Sequence, residues 1–518
     1  MNQHWKRILA HPNLGVGLIF VLSIVIYFSG LVQHHYYVGP GNDIYVHILN
    51  TWKLQNGAPW TSLGYPPGLY YIFSLLASIS HLSIIEVLTW VGPVILVLGS
   101  LAVYTLARGM LGQVVGLYCY ALFVLASRQP FQTYFDGGLP NWVAAGILLP
   151  LIYLALVKLI EQPKRPLYWL LLGVSIVSLL LSHHLTVILA FPVMMLWLLV
   201  VLVYFLCLKP SWTRGISFLA GYIVLAWSLN WLFWHLTILT EARYVFLLYT
   251  GLTDHFPYIY SLGTKTCANP GSCTWDFKTI ANDLGKLAFL PSLLALPALI
   301  WQWKQLKHHQ RLGIMALLIW YLAYMIGAML AMSGEPTRLE RDLAIPATIL
   351  SGWVIYEGIR YLRAKPSRRY FLLICLTIIT ILAVRVIPVK VAMFSDYSNM
   401  LRFSKADEQA YTYLQSHSRL ASQTTVLTQE IAWQTVAQVE GKLGLFKAIT
   451  YQYPSPGLLI EGCYLVGWYD QSVWPISYSN QSVARSYLNS PNATLVQQFI
   501  DQNKTLNLIC AADLVSGE

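Results

Sequence analysis

An acid and an imidazole stand four residues apart in the segment GNDIYVH, directly after the first apolar run of the chain. If this segment is helical, the spacing puts Asp43 and His47 on one face of the helix. A second acid, Asp136, occurs in the segment FDGGLPN between two later apolar runs. A carboxylate in such a position can accept the proton of a reacting hydroxyl group. The pattern therefore predicts a catalytic site in which Asp43 is the general base, His47 orients it and Asp136 is a second acid.

The same two carboxylates are also candidate metal ligands. Oxygen ligands from separate loops suit Mg²⁺ or Mn²⁺, so Asp43 and Asp136 could hold either cation. The alternative is structural, because Asp is favoured at helix N-caps and Gly137 and Gly138 would form a turn. The cysteines complete no Cys and His pattern of a metal site. General base is preferred over metal ligand for Asp43.

Basic groups suited to phosphate occur in two further segments. SHHLT places His183 and His184 between two apolar runs, where ionisable groups tend to be paired or functional. They are predicted to bind an acidic group or carry a proton, and the alternative is a pair of solvated histidines. In SGEPTRLERD, Arg338 and Arg341 are three residues apart, and guanidinium forks match phosphate oxygens. The alternative for the arginines is a local network with acids of the same segment: Glu335, Glu340 and Asp342.

Composition places these segments at a membrane. The chain has 518 residues, of which 56% are hydrophobic and 11% charged, and its mean hydropathy is +0.55. Soluble domains carry about 25% charged residues. Crossing a hydrocarbon core of about 30 Å takes roughly 20 residues, and backbone satisfaction in lipid favours helices. The net charge of +11 arises from basic clusters between the apolar runs, which is the positive-inside pattern and excludes a nucleic-acid-binding face.

The basic clusters also select a topology. If Leu69–Leu82 crossed the membrane, the cluster at Lys164 and Arg165 would face outside; if it lies along the outer surface, every cluster faces the cytoplasm. We therefore predict a cytoplasmic amino terminus and an outer carboxyl terminus. The first run lacks a small-residue cleavage site and is predicted to be a retained anchor. About eleven spans follow: 14–33, 87–107, 111–127, 141–160, 167–182, 185–208, 215–237, 286–303, 312–332, 346–362 and 370–389.

Two domains are predicted. Residues 1–389 form an all-α polytopic membrane domain, and the polar residues 390–518 form a small extracytoplasmic α/β domain. In the second domain, ADEQAYTYLQSH is typical of an amphipathic helix, and TTVLTQ and LNLICAADLV are typical of strands. Cys463 and Cys510 could pair there, as could Cys267 and Cys273 in an outer loop, and the sequence leaves both pairings open.

Taken in order, these motifs resemble the C-type superfamily of glycosyltransferases. GNDIYVH after the first span, YPPG at Tyr65–Gly68, FDGGLPN, SHHLT and a late arginine cluster follow one another over residues 1–390. The resemblance implies a C-type fold in a prokaryotic plasma membrane enzyme, surrounded by membrane lipids. Such an enzyme moves a sugar from a polyprenyl-phosphate or polyprenyl-diphosphate carrier to a lipid, glycan or protein acceptor on the outer face.

The resemblance also implies roles for the predicted site residues. Asp43 would be the catalytic base or a metal-associated acid, and Arg338 or Arg341, with the His183 and His184 pair, would hold the carrier phosphate. Aromatic residues near YPPG would stack on sugar or lie in the headgroup zone: Trp60, Tyr65, Tyr70 and Tyr71.

Two departures from the family's patterns matter. Asp136 stands in Phe-Asp-Gly-Gly rather than in the Gly-x-x-Asp order of oligosaccharyltransferase-like members, and no WWD-type acceptor motif occurs. A peptide-sequon oligosaccharyltransferase is therefore disfavoured. The main alternative is a non-catalytic relative that scaffolds or assembles a partner complex. A transporter is disfavoured because the ionisable groups gather at the ends of the spans, and no nucleophile motif supports a lipid phosphatase or ligase.

Overall fold

The computed structural model describes most of the chain in fifteen stretches. These are residues 12–41, 43–59, 62–63, 65–135, 137–208, 212–235, 277–329, 336–363, 387–392, 403–427, 430–450, 462–469, 486–490, 492–501 and 504–515. Asp136, Trp60, Cys267 and Cys273 lie outside the described residues, and so does all but the end of the last predicted span.

The part before residue 393 is mostly helical in its described residues. In chain order its helices are α1 (Pro12–His34), α2 (Asp43–Gln55), α3 (Gly68–Ser80), α4 (Ile84–Leu111), α5 (Gln113–Ala126), α6 (Gln129–Phe135), α7 (Leu139–Trp142), α8 (Leu149–Glu161), α9 (Pro166–Ser182), α10 (His184–Leu208), α11 (Trp212–His235), α12 (Phe277–Leu284), α13 (Lys286–Phe289), α14 (Ala295–Gln302), α15 (His308–Met329) and α16 (Pro336–Arg363). A π-helical stretch, Val143–Leu148, makes α7 and α8 continuous, and a 3₁₀ turn, Leu290–Leu294, joins α13 to α14.

The length and apolar composition of the helices indicate an integral membrane protein. Among the described residues, four helices have the length and apolar composition of a membrane span: Asn13–His34, Ile84–Leu111, Leu139–Glu161 and His308–Met329. A fifth candidate is the pair α5 and α6, which are bent by 48° relative to each other. Leu18, Val21 and Leu98 are exposed on these helices, as expected of side chains that face lipid. The predicted count of eleven spans is not confirmed, since the described residues give four candidate spans, or five if the bent pair is one span.

Contacts distinguish the two ends of the helix bundle. At one end, which we call the site face, α1 ends at His34 and α4 begins after Ser83. The loop between α1 and α2 is tied to α4 there, because the Gly39 N–H donates to Thr89 Oγ1 over 3.1 Å. The opposite end carries Glu161, whose carboxylate oxygens lie 3.0 Å from Lys158 Nζ and 2.6 Å from His309 Nδ1.

Two helices connect α1 to α4 on the site face. Each of α2 and α3 has 13 residues, hence about 20 Å of length, which is too short for a 30 Å core. Gly68 at the start of α3 packs on Leu181 at the end of α9, with only 2.8 Å between the Leu181 Cβ and the place of a Cβ at Gly68. The structure thus agrees with a surface helix near Leu69–Leu82. That this face is the outer one stays a prediction.

The carboxyl-terminal part carries a five-stranded mixed sheet. Its elements are α17 (Lys405–Ser416), α18 (Ser418–Gln423), β1 (Thr424–Leu427), α19 (Glu430–Val439), β2 (Ala448–Ile449), β3 (Cys463–Tyr469), β4 (Ala493–Ile500), β5 (Lys504–Ala511) and α20 (Ala512–Val515). The strand order is β2-β1-β3-β5-β4, with β1 parallel to both of its neighbours and β5 antiparallel to both of its own. The structure therefore has the predicted mixture of helices and strands.

The individual predictions for this part are mostly confirmed. The amphipathic helix is α17, TTVLTQ contributes β1, and LNLICA lies in β5. The end of LNLICAADLV was wrongly assigned to a strand, because Ala512–Val515 turns into α20. Cys463 and Cys510 are directly opposite one another on β3 and β5 and form a disulfide.

The sheet domain packs on the site face. The Phe403 N–H donates to the Tyr45 hydroxyl oxygen over 2.8 Å, and the Phe403 ring lies 5.7 Å from that of Tyr37. Tyr45 belongs to α2, and α19 packs on the same helix. The helix that carries Asp43 and His47 therefore lies between the bundle and the sheet domain.

Candidate active site

The first turn of α2 positions the predicted acid. α2 begins at Asp43, where the free backbone N–H groups and the helix dipole favour a negative charge. The Asp43 side chain is exposed, whereas His47, one turn later, is only 3% exposed. Both residues belong to this one helix, which is the condition under which their spacing puts them on one face. Their surroundings differ, because Asp43 faces outward and His47 faces the packed interior of the site face.

A directed chain of hydrogen bonds holds His47. The Asn50 amide donates to the Tyr70 hydroxyl oxygen over 3.3 Å, and that hydroxyl lies 3.1 Å from His47 Nδ1. The other side of the ring donates to the backbone carbonyl of Gly137. Since Tyr70 accepts from Asn50, its own proton is available to Nδ1, and the neutral ring then carries its proton on Nε2. The chain joins α3, α2 and the turn before α7.

Burial decides the charge of this histidine. It lowers the pKa of His47 from 6.5 to about 3, and the hydrogen bond to Gly137 opposes that shift only in part. The ring is therefore neutral near pH 7 and a weak proton acceptor. Burial also raises the pKa of the Tyr70 hydroxyl, the Asn50 hydrogen bond opposes the shift, and the Asp43 carboxylate adds to it. Asp43 thus lies within electrostatic reach of the same network.

The turn after Asp136 packs on the start of α2. Gly137 has a φ of +75°, and a Cβ there would lie 2.6 Å from Ile44 N and 3.2 Å from Asp43 N. Only glycine fits a position with that backbone angle and that close an approach. Asp136 itself is outside the described residues, but its neighbour in sequence is in contact with the backbone of Asp43. Gly137 does form the predicted turn, and the same turn is part of the site.

The second histidine is fixed by its own helix start. His183 Nδ1 accepts the backbone N–H of Thr186 over 3.1 Å and lies 2.8 Å from the Thr186 hydroxyl, which donates to Asn141 Oδ1 over 3.0 Å. Because Nδ1 accepts, the neutral His183 ring has its proton on Nε2. His184 begins α10, and its side chain is outside the described residues.

Tyr65 of the YPPG segment brings the two histidines together. Its ring centroid lies 5.8 Å from that of His47 and 5.8 Å from that of His183. Tyr65 and Tyr70 therefore pack within the site, whereas Tyr71 is exposed, as an interfacial aromatic would be. The sequence pointed to these tyrosines as sugar or headgroup contacts. It gave no sign of their contacts with histidine, nor of the parts played by Asn50 and Asn141.

The predicted phosphate and metal ligands are only partly described. Arg338 and Arg341 belong to the first turns of α16, but their side chains lie outside the described residues. Among the residues that the structure does describe, no three His, Cys, Asp or Glu side chains come together to hold a metal ion. A Mg²⁺ or Mn²⁺ site on Asp43 and Asp136 stays a prediction, and no step below is routed through a cation.

Comparison with known proteins supports the fold. No protein-family model matches the sequence. No curated protein matches it either. Among solved structures, an Archaeoglobus fulgidus oligosaccharyltransferase tethered to an acceptor peptide with an NVT sequon has a TM-score of 0.53, 13% identity and coverage of 84% of this chain and 63% of its own. The oligosaccharyltransferase AglB of that organism, in complex with an inhibitory peptide and a dolichol-phosphate, has a TM-score of 0.50, 14% identity and coverage of 84% and 64%.

A third solved structure matches along nearly its whole length. ArnT from Cupriavidus metallidurans, bound to undecaprenyl phosphate, has a TM-score of 0.52, 12% identity and coverage of 96% of this chain and 97% of its own. The chain spans less than two thirds of the oligosaccharyltransferase chains and almost all of ArnT. At these identities the likeness concerns the fold. The predicted resemblance to C-type membrane glycosyltransferases is confirmed at that level.

Proposed function

We propose that the protein is a membrane glycosyltransferase that moves a sugar from a polyprenyl-phosphate or polyprenyl-diphosphate carrier to a lipid, glycan or protein acceptor on the outer face. One observation carries the proposal. In a fold that two different lipid-phosphate-binding transferases share over most of this chain, an exposed carboxylate begins the surface helix α2, next to a buried network of two histidines.

Asp43 is the proton acceptor of the proposed reaction. The acceptor hydroxyl gives its proton to the Asp43 carboxylate as its oxygen bonds to the anomeric carbon. The bond from that carbon to the carrier phosphate breaks, and the phosphate leaves with the electron pair. Such a direct displacement inverts the anomeric centre. The N-terminus of α2 favours a negative charge on this exposed carboxylate, which a base in this position requires.

The leaving phosphate needs positive charge or hydrogen-bond donors. His183 is assigned to this phosphate from its sequence pattern. Arg338, Arg341 and His184 are assigned to the same phosphate from their sequence pattern. His47 is a positioning residue, since its ring is neutral, buried and bonded on both sides. It fixes α2 relative to α3 and to the Gly137 turn.

The decisive experiment measures the carrier product, which does not depend on knowing the sugar. Purified protein in nanodiscs is supplied with polyprenyl-linked sugars extracted from membranes of the source organism, and release of polyprenyl phosphate is followed by thin-layer chromatography. Asp43→Asn should lower the rate by about 10²- to 10⁴-fold, because a general base is worth that much. Glu86→Gln, a matched change of another exposed acid on the site face, should leave it unchanged.

The result also separates the two candidate functions. Full activity of Asp43→Asn would remove Asp43 as the base. Absence of any release by the wild-type protein, together with stable co-purification of another membrane protein, would favour the non-catalytic assembly subunit.

A further inference from the structure

A buried lysine stands on the site face outside the network described above. Lys390 lies in the short helical stretch 387–392 and is only 4% exposed. Its ammonium group donates a hydrogen bond to the Ser127 carbonyl, at the end of α5. The next residue is tied to α1, because Ser29 Oγ donates to the Val391 carbonyl over 3.3 Å. Lys390 is thus held between α1 and α5.

Among the described residues, no acidic group balances the charge of Lys390. An ammonium group has three N–H donors, and the Ser127 carbonyl takes one. Among the described residues, the one charged group that acts on Lys390 is Arg128, which has the same sign. Burying a cation is unfavourable unless an anion compensates its charge, and a second cation nearby makes it more so. Arg128 is exposed, so the pair is open to a ligand from the surface.

We infer that Lys390 and Arg128 form an anion site that takes the phosphate group of a lipid carrier. The identity of the carrier rests on the proposed function, whereas the anion site rests on the two cations themselves. A phosphate monoester offers several acceptor oxygens to one ammonium and one guanidinium group. The two cations lie where α5 ends and bends into α6, next to the end of a candidate span.

The length of α6 leaves room for a sugar between this anion site and Asp43. α6 has seven residues, about 10 Å of helix, and runs from Arg128 to the turn whose Gly137 touches Asp43. The cations and the carboxylate therefore stand at the two ends of one short helix. A sugar attached to a phosphate at Lys390 and Arg128 would have to lie along this distance to bring its anomeric carbon near Asp43. The predicted arginines of α16 would then serve the same or a second phosphate of a diphosphate carrier.

The test measures binding of farnesyl phosphate to the full-length protein in phosphatidylcholine nanodiscs by microscale thermophoresis. Lys390→Met should weaken binding about 10- to 100-fold, since charge-assisted hydrogen bonds to phosphate are lost. Lys390→Arg should restore most of it. Arg128→Gln, an exposed position where folding is not at risk, should weaken binding about tenfold. Lys286→Met removes an exposed lysine from the same face and should leave binding unchanged.

Three further arms identify the ligand. Farnesol should not compete, inorganic phosphate should compete only at concentrations at least 100-fold higher, and replacing phosphatidylcholine with phosphatidylglycerol should have little effect. Equal competition by inorganic phosphate would overturn the assignment to a lipid carrier. Displacement by phosphatidylglycerol would assign the site to a bulk lipid headgroup instead. Unchanged affinity in both Lys390→Met and Arg128→Gln would overturn the site altogether.

Its failure can be told apart from failure of the proposed function. Suppose that the wild-type protein releases polyprenyl phosphate and that Lys390→Met binds farnesyl phosphate and reacts normally. The transferase activity is then supported, and the anion site at Lys390 is refuted. If no polyprenyl phosphate is released but farnesyl phosphate binding depends on Lys390, the anion site is supported and the transferase activity is refuted.

Discussion

Two buried lysines in this protein have opposite surroundings. Lys504 in the sheet domain is fully buried, and its ammonium nitrogen lies 2.6 Å from each carboxylate oxygen of Asp407. That carboxylate also accepts the Trp433 indole N–H over 2.8 Å and the Ser404 hydroxyl over 2.7 Å. Lys390 on the site face has one carbonyl and a neighbouring cation.

The difference separates a structural charge from a ligand-binding one. A buried ion pair with every lone pair occupied has nothing left to offer a ligand, and removing one partner exposes the cost of the other. A buried cation whose donors are only partly used destabilises the free protein. A bound anion removes this destabilisation by compensating the charge and accepting the remaining hydrogen bonds. The ion pair of Lys504 and Asp407 therefore stabilises the sheet domain. Lys390 on the site face has N–H donors that can still bind a ligand.

The strongest test of this contrast is Lys504→Met. The change leaves the Asp407 carboxylate buried without its cation, so we expect a loss of about 3–5 kcal/mol in the free energy of unfolding of the sheet domain. Denaturant titration followed by tryptophan fluorescence would measure it, because Trp433 lies against the pair. The exposed Lys405 on α17 provides the control, since Lys405→Met should change stability by less than about 0.5 kcal/mol. If Lys504→Met lowers the free energy of unfolding by less than about 1 kcal/mol, the proposed difference between Lys504 and Lys390 is wrong.

The sequence predicted the elements of the bundle better than the site. Continuous apolar runs and basic clusters indicate helices and their ends, so α2, the surface helix near Leu69–Leu82 and the start of α10 lie where expected. The number of spans could not be read in this way. α5 and α6 are bent by 48° relative to each other near Ser127, a feature that depends on packing rather than on composition.

The site was predicted at the level of residue types alone. Asp43, His47 and His183 stand out as ionisable groups in an apolar chain, and the structure brings the last two together. Their link is Tyr65, and no periodicity shows that a ring 18 residues from His47 in sequence packs on it. Lys390 also gave no signal, since a lysine just after an apolar run is normally read as an interfacial charge. Burial, which decides its role, is a tertiary property.

A second test uses the pH dependence of stability and concerns the His47 network. The pKa of His47 is about 3 in the folded protein and near 6.5 when unfolded, so the unfolded state binds more protons between those values. Stability therefore falls as the pH is lowered through 6.5, by about 2 kcal/mol between pH 7.5 and 5. His47→Gln should lack this part of the acid loss, so its stability relative to wild type should rise on acidification. Parallel profiles for the two proteins would mean that His47 is accessible to protons in the folded state.

The smallest expected effect lies where the two regions meet. Tyr45→Phe removes the hydroxyl that accepts the Phe403 N–H and leaves that donor without its partner. We expect a loss of about 1–2 kcal/mol from the docking of the sheet domain on α2, detectable as faster release of the sheet domain in limited proteolysis. Tyr71→Phe changes an exposed tyrosine nearby and should not alter the cleavage rate.

The catalytic readout of the same variant decides how far the two regions depend on each other. If docking of the rigid sheet domain holds α2 in place, Tyr45→Phe should slow the release of polyprenyl phosphate about as much as it weakens docking. Tyr45 is two residues from both Asp43 and His47, so a shift of α2 moves the proposed base and its network together. If cleavage accelerates while release is unchanged, α2 is held by α3 and the Gly137 turn alone. The sheet domain then contributes to acceptor binding or assembly rather than to the geometry of the base.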